Sequence, residues 1–265
     1  MLTGAVLRGG CVLLSVLVLT SCSVTSSTSI LPAQRRLVAT IAPARAVQAA
    51  AADPLRRVVF GHSVNGVPLI ALERGSATAP RRVLVVGCVH GDECAGVSVA
   101  RQVAEVVPPV GAEIVVVPEL NPDGHAAGTR QNAHGVDLNR NFPAGWQPSG
   151  RAGAQQYSGS GPLSEPEARA MAGLVRQVRP TVTVWFHQPV GVVDLSGGSV
   201  AVERRFARVA HMQLKLLTRY PGSACGWQNA LWPGRTTAFV VELSRPATPT
   251  QLSGTARAVL DLATL

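Results

Sequence analysis

Three polar side chains stand where apolar runs stop. His90 and Glu93 come shortly after residues 83–86, and His187 directly follows Trp185-Phe186. Strand ends are where α/β folds present their ligand groups. A His-x-x-Glu on a tight turn can offer one imidazole nitrogen and one carboxylate oxygen to a single ion. A distant histidine completes a His, Glu, His set, which suits zinc. Three protein ligands rather than four leave a position for water, whose pKa zinc lowers to roughly 7, so the set points to catalysis. Each signal is weak alone: His-x-x-Glu pairs are common in solvated loops, and a lone strand-end histidine is more often a hydrogen-bonded structural residue.

Other residues strengthen the set. Glu242 lies inside the apolar run 238–243, where an ionised carboxylate is costly unless it is paired, solvated in a cleft or close to a cation. Near a metal it would serve as the general base that takes a proton from the attacking water and returns it to the leaving amine; a structural ion pair is the plainer alternative. Asn139-Arg140-Asn141 places an amide beside a guanidinium suited to bidentate capture of a carboxylate. Arg130, earlier in the same loop, could polarise a scissile carbonyl and stabilise the oxyanion.

The elements that must position these groups follow from periodicity. Residues 57–60 and 68–72 read as short strands around the hairpin signal Asn65-Gly66. Residues 83–86 form a buried-type strand followed by a glycine-bearing turn and a helix over 95–107, and residues 114–117 form another strand. Asn121-Pro122-Asp123-Gly124 then opens a long polar segment reaching Leu163, and a long loop inside a compact domain is usually functional. Ser164-Glu165-Pro166-Glu167 predicts a capping box and a helix to Val178. A strand over 181–186, a helix over 202–218, a strand over 237–243 and a closing helix over 250–262 complete the chain. The expected fold is α/β, a mixed sheet covered by helices on both faces.

The N-terminus is a separate matter. Arg8 precedes an apolar run, residues 11–19, that is too short to span a bilayer and reads as a secretory signal. Leu19-Thr20-Ser21-Cys22 resembles the bacterial lipobox, in which the cysteine is lipidated and becomes the new N-terminus; a plain signal peptide is the alternative. The expected organisation is a lipoprotein signal peptide over 1–21, a Ser/Thr/Ala-rich flexible tether over 22–53 and a catalytic domain over 54–265. The protein is then extracytoplasmic, held to the membrane through lipid on Cys22, or secreted. Cys88, Cys94 and Cys225 are left, and an odd number cannot all pair. Cys94 to Cys225 or Cys88 to Cys225 are the favoured bridges, though spacing alone does not choose.

The formal charge of +9 favours anionic surroundings, but the arginines are scattered and aromatic residues make up only 4% of the chain. Nucleic acid is therefore not expected as a partner.

In order along the chain, His90-Gly91-Asp92-Glu93, Asn121-Pro122-Asp123-Gly124, Thr129-Arg130-Gln131-Asn132, residues 135–143, residues 164–167, Phe186-His187-Gln188-Pro189 and Val241-Glu242-Leu243 resemble the zinc carboxypeptidases of the carboxypeptidase A kind, and within them the small bacterial murein peptide amidases. The resemblance implies zinc on His90, Glu93 and His187, Glu242 as the catalytic glutamate and Arg130 as the carbonyl-polarising arginine. It also implies that Asn139 and Arg140 hold the substrate's terminal carboxylate. Tyr220 is the one tyrosine between His187 and Glu242 and stands for the tyrosine that larger members use. Ser244 departs from the pattern, since many relatives have proline after the Glu-Leu pair.

The implied function is zinc-dependent hydrolysis of a peptide bond next to a terminal carboxylate, with cell-wall stem peptides as substrate and the γ-D-glutamate to meso-diaminopimelate bond as the target. The alternatives are a general carboxypeptidase, an N-acyl amino acid amidohydrolase, a non-catalytic peptide-binding lipoprotein, or a structural zinc site built from Cys88, Cys94 and His90.

Overall fold

The computed structural model describes residues 54–265. The expected signal peptide and tether, with Cys22, lie outside the described residues. The elements are β1 (Arg56–His62), β2 (Pro68–Gly75), β3 (Arg81–Val86), α1 (Gly96–Ala104), β4 (Ala112–Val117), α2 (Pro122–Ala127), α3 (Pro166–Val178), β5 (Val182–His187), β6 (Val190–Asp194), α4 (Val200–Ala210), β7 (Gln213–Lys215), α5 (Ala224–Leu231), β8 (Thr237–Ser244) and α6 (Pro249–Leu262). They build one mixed eight-stranded sheet in the order β1-β2-β4-β3-β5-β8-β6-β7. The four central strands β4, β3, β5 and β8 are mutually parallel; β2 joins β4 and β1 joins β2 antiparallel, and on the other side β6 joins β8 antiparallel while β7 pairs parallel to β6.

The continuous apolar runs are the central strands, buried on both faces as parallel strands require. Side chains alternate between two cores. Val83, Val85, Val184 and Phe239 face α1, α4 and α6, packing with Val99, Phe206 and Val259. Leu84, Val86 and Trp185 face α3 and α5, packing with Met171, Val175 and Trp227. Among the described residues, no helix is long and apolar enough to cross a membrane.

The structure corrects several local expectations. The chain does not form a capping box at Ser164. Glu165 is the N-cap of α3 with Pro166 first in the helix. The Glu167 carboxylate instead accepts from the Val64 amide (2.9 Å) and the Asn132 side chain (3.0 Å), tying α3 to the β1–β2 turn and to the long loop. The helix expected over 202–218 ends at Ala210, where His211 turns left-handed (φ 54°) and the chain continues as β7. Leu214 and Leu217 continue the helical period by coincidence, because three residues of strand are too few to display period 2. Strand β6 and helix α5 were not anticipated.

Strand β3 has its sequence neighbours on opposite sides: α1 leads to β4, while β5 lies on the other edge. Such a reversal opens a crevice at the C-terminal strand ends. His90 and Glu93 after β3, His187 at the end of β5 and Glu242 near the end of β8 all project toward it.

Candidate active site

Three atoms converge at this crevice. His90 Nδ1 lies 2.9 Å from Glu93 Oε2, His187 Nδ1 lies 3.0 Å from the same oxygen, and the two imidazole nitrogens are 3.1 Å apart. All three residues are buried. Two ring nitrogens and a carboxylate oxygen this close repel one another through their lone pairs unless a cation or shared protons lie between them. A tetrahedral ion with bonds of about 2.0–2.2 Å needs ligand atoms about 3.3 Å apart, so this triangle fits zinc with small outward movements.

The sequence explains the convergence. Gly91 sits directly against the backbone of Gly124 in α2, where any Cβ would collide, so the turn after β3 can lie flat and aim both His90 and Glu93 inward. The Glu93 amide donates to the His90 carbonyl (3.0 Å). His187 is the last residue of β5, and the adjacent Gln188 amide donates to Glu93 Oε2 (3.3 Å).

A surrounding layer orients this triangle. His90 Nε2 lies 2.9 Å from Asp137 Oδ1. Donation to that carboxylate places the proton on Nε2 and leaves Nδ1 to face the centre, the arrangement that orients metal-binding histidines. Asp137 is fully buried; its other oxygen accepts from Arg130 Nε (3.1 Å), and Arg130 Nη1 donates to Glu93 Oε1 (2.6 Å). Burial alone would raise both carboxyls. Hydrogen bonds from His187 and His90 hold Glu93 far below the usual carboxylate range, and the charges of His90 and Arg130 with the His90 hydrogen bond do the same for Asp137. Burial pushes His90 down, but Asp137 and Glu93 outweigh it and its pKa is raised. In the sequence Asp137 stands out only as one member of the segment 135–143. An acid two residues before Asn139 was the available signal.

The centre opens into a cleft of about 830 Å³. Glu242 lines it beside His187, and its Oε2 has no hydrogen-bond partner. Burial raises the Glu242 pKa, with His187 opposing and Glu93 adding. Arg140 is 6% exposed and stacks on the Tyr220 ring (4.0 Å to the centroid); its Nη1 donates to the Asn139 carbonyl (2.8 Å), while its Nε is unpartnered. Burial lowers its pKa, against the pull of Asp137. The Asn139 side chain accepts from the Ala224 amide (2.9 Å), which turns its NH₂ toward His187 Nε2 at 3.4 Å. Every expected site residue of the domain, Tyr220 included, thus lines this one cleft. Asp194, also in the lining, accepts from the Leu217 amide (2.8 Å) and the Ser196 hydroxyl (2.7 Å), and no cation pairs with it among the described residues. Asp194 lies on the unanticipated β6, so nothing in the sequence singled it out.

The cysteines depart from expectation. Cys88 and Cys94 are joined to each other, and Cys225 is free and buried on α5. The tight turn after β3 folds residues 88 and 94 together, with Cα atoms 4.7 Å apart, leaving neither thiol for Cys225. Nor do they join His90 in a structural site, since both of its ring nitrogens face carboxylates.

Comparison with known proteins agrees with this architecture. The zinc carboxypeptidase family profile matches residues 110–213, the segment holding Arg130, Asp137, Asn139, Arg140 and His187. Murein peptide amidase A of Escherichia coli (strain K12) is 34% identical over 146 residues, covering 51% of this chain and 60% of the relative. Gamma-D-glutamyl-L-diamino acid endopeptidase 1 of Lysinibacillus sphaericus is 30% identical over 139 residues, covering 48% of this chain and 34% of that protein. The chain therefore spans less than two thirds of the length of these curated relatives. The crystal structure of murein-tripeptide amidase from Escherichia coli O157 superposes with a TM-score of 0.65 at 28% identity, covering 79% of this chain and 94% of the other. Residues 110–213 thus match the zinc carboxypeptidase family, and in fold, cleft and sequence the described domain is similar to the murein peptide amidases.

Proposed function

We propose that this domain is a zinc-dependent peptide hydrolase acting beside a terminal carboxylate, on cell-wall stem peptides and at the γ-D-glutamate to meso-diaminopimelate bond. The observation that carries the hydrolase assignment is the three-atom convergence of His90, Glu93 and His187, with the unpartnered Glu242 carboxylate lining the same cleft. Zinc on these three residues would polarise a carbonyl and acidify a water. Glu242 takes the proton of the attacking water and returns it to the departing amine; its raised pKa brings it closer to the operating range of such a shuttle. Arg130, anchored by Asp137, stabilises the oxyanion.

Arg140 receives the terminal carboxylate. Its unpartnered Nε, the planar fork and the Tyr220 ring beneath it suit bidentate capture. The substrate class draws on the names of the amidase and endopeptidase relatives and on the cleft itself, whose lining includes Arg130, Arg140 and the acid Asp194. Diaminopimelate carries both a carboxylate and an ammonium, matching groups of both signs in that lining.

The proposal extends to export and to acylation of Cys22, supported by the lipobox-like run ending there. Mass spectrometry of the mature N-terminus, beginning at a lipidated Cys22, checks it.

The test of function is incubation with a murein tripeptide, with and without a chelator. Chelator-sensitive release of diaminopimelate supports the proposal. Release only from ordinary peptides would reassign the substrate, and binding without turnover would make the protein a receptor.

A further inference from the structure

The turn that carries His90 and Glu93 is closed by a covalent bond. Cys88 and Cys94 are six positions apart and joined, and both ligand-type side chains lie between them. Each end of the turn is anchored. The Cys88 carbonyl accepts from the amides of Leu120 (2.9 Å) and Asn121 (3.2 Å), and the Cys94 carbonyl accepts from the Val97 amide (3.1 Å) at the start of α1. Backbone ties inside the turn are sparse: the Glu93 amide to the His90 carbonyl at 3.0 Å, and a long 3.4 Å contact from the Gly91 amide to the Arg130 carbonyl. Yet this short segment must hold an imidazole nitrogen and a carboxylate oxygen together before any cation offsets their repulsion.

We propose that the Cys88–Cys94 disulfide is a positioning crosslink for the metal centre, so that the oxidised protein binds zinc more tightly than the dithiol form. The magnitudes favour a local role. A loop this short gives a disulfide less leverage on global stability than a long one, since that leverage grows with the length of chain enclosed. The same bond removes most of the freedom of the residues that carry two of the three ligands, an ordering that zinc binding must otherwise supply. Opening it should weaken zinc affinity about tenfold or more.

The inference rests on the metal assignment proposed above, but not on substrate or activity. Reduction by a water-soluble phosphine opens the bond: the two sulfurs gain two electrons and two protons, and the phosphine takes the oxygen of water and ends as its oxide. Cys94, the less buried partner, offers the point of attack.

The experiment measures zinc dissociation from the full-length protein by competition with a chromophoric chelator, in three samples: oxidised, phosphine-reduced, and a Cys88→Ser/Cys94→Ser variant. Thermal unfolding of the zinc-free samples serves as a folding control, and the reduced wild type carries the test if the variant does not fold. Expected are a mass for the 88–94 peptide two hydrogens below the dithiol value, tight zinc binding when oxidised, and weakening of about tenfold or more in the other two samples, which still unfold cooperatively at a Tm lowered by about 5–10 °C. Equal affinities in all three overturn the crosslink while leaving the metal assignment intact. Two free thiols in aerobically prepared protein also overturn it. So does a second equivalent of zinc in the reduced sample alone, which would place the ion on Cys88, Cys94 and His125, whose ligand atoms lie within 4.8 Å of one another. No zinc binding in any sample removes the metal assignment itself and the crosslink with it.

Discussion

His187 and Glu242 are register partners on the adjacent parallel strands β5 and β8. Register partners in a parallel pair share a face and sit about 4.8 Å apart, so the sheet itself sets the spacing between a metal-facing imidazole and the carboxylate that would shuttle protons. Val192 of antiparallel β6 flanks Glu242 on its other side, which fixes β8 as an interior strand. This rigidity makes a clean prediction. Glu242→Gln preserves zinc content while turnover falls about 10²–10⁴-fold. Metal analysis alongside steady-state kinetics checks it, and unchanged turnover would remove Glu242 from the mechanism.

Asp137 is expected to act through His90 rather than on substrate. Asp137→Asn removes the acceptor that sets the His90 tautomer and one anchor of Arg130. Zinc affinity should fall about 10–100-fold, measured by chelator competition. An affinity within twofold of wild type would show that the Asp137 contact does not orient the ligand.

Arg140 makes a prediction about binding more than chemistry. Arg140→Lys keeps a charge but loses the planar fork and the stack on Tyr220. Loss of one charge-assisted hydrogen bond corresponds to a KM increase of about 10–100-fold for substrates with a free terminal carboxylate. Substrates amidated at that end should respond little, and equal effects on both would place the carboxylate elsewhere.

Glu165 links stability to pH. Burial pushes its carboxyl up, but hydrogen bonds from Asn132 (2.8 Å), Ser164 (2.7 Å) and His134 (2.7 Å) outweigh it and the folded-state pKa is lowered. A depressed acid stabilises the fold above its unfolded pKa of about 4.3 and loses that contribution as pH falls through the folded value. Glu165→Gln should therefore lower Tm by about 2–4 °C near pH 7. The gap should close on acidification below about pH 4, as followed by circular dichroism. A gap that persists into acid would assign the effect to packing.

What the sequence made legible was local. Residues 83–86 and the run ending in Phe186 declared buried strands because their side chains are apolar on both faces, and the polar residues just beyond them stood out for that reason. The side-by-side placement of His187 and Glu242 was not legible, because it depends on β8 inserting between β5 and β6, a pairing of residues far apart in sequence. Strand β7 escaped notice through its brevity, and β6 carried Asp194 with it. The Cys88–Cys94 bridge depends on how sharply a glycine-bearing turn folds, which spacing alone does not give. Asp137 illustrates a related limit, since its role comes from a fully buried position that only the tertiary structure reveals.

The most direct test is X-ray diffraction from crystals of the zinc-loaded protein, with data collected on both sides of the zinc absorption edge. The account predicts one full-occupancy anomalous peak about 2.0–2.2 Å from His90 Nδ1, Glu93 Oε2 and His187 Nδ1. A peak bound elsewhere, or none among these three atoms at saturating zinc, would contradict it.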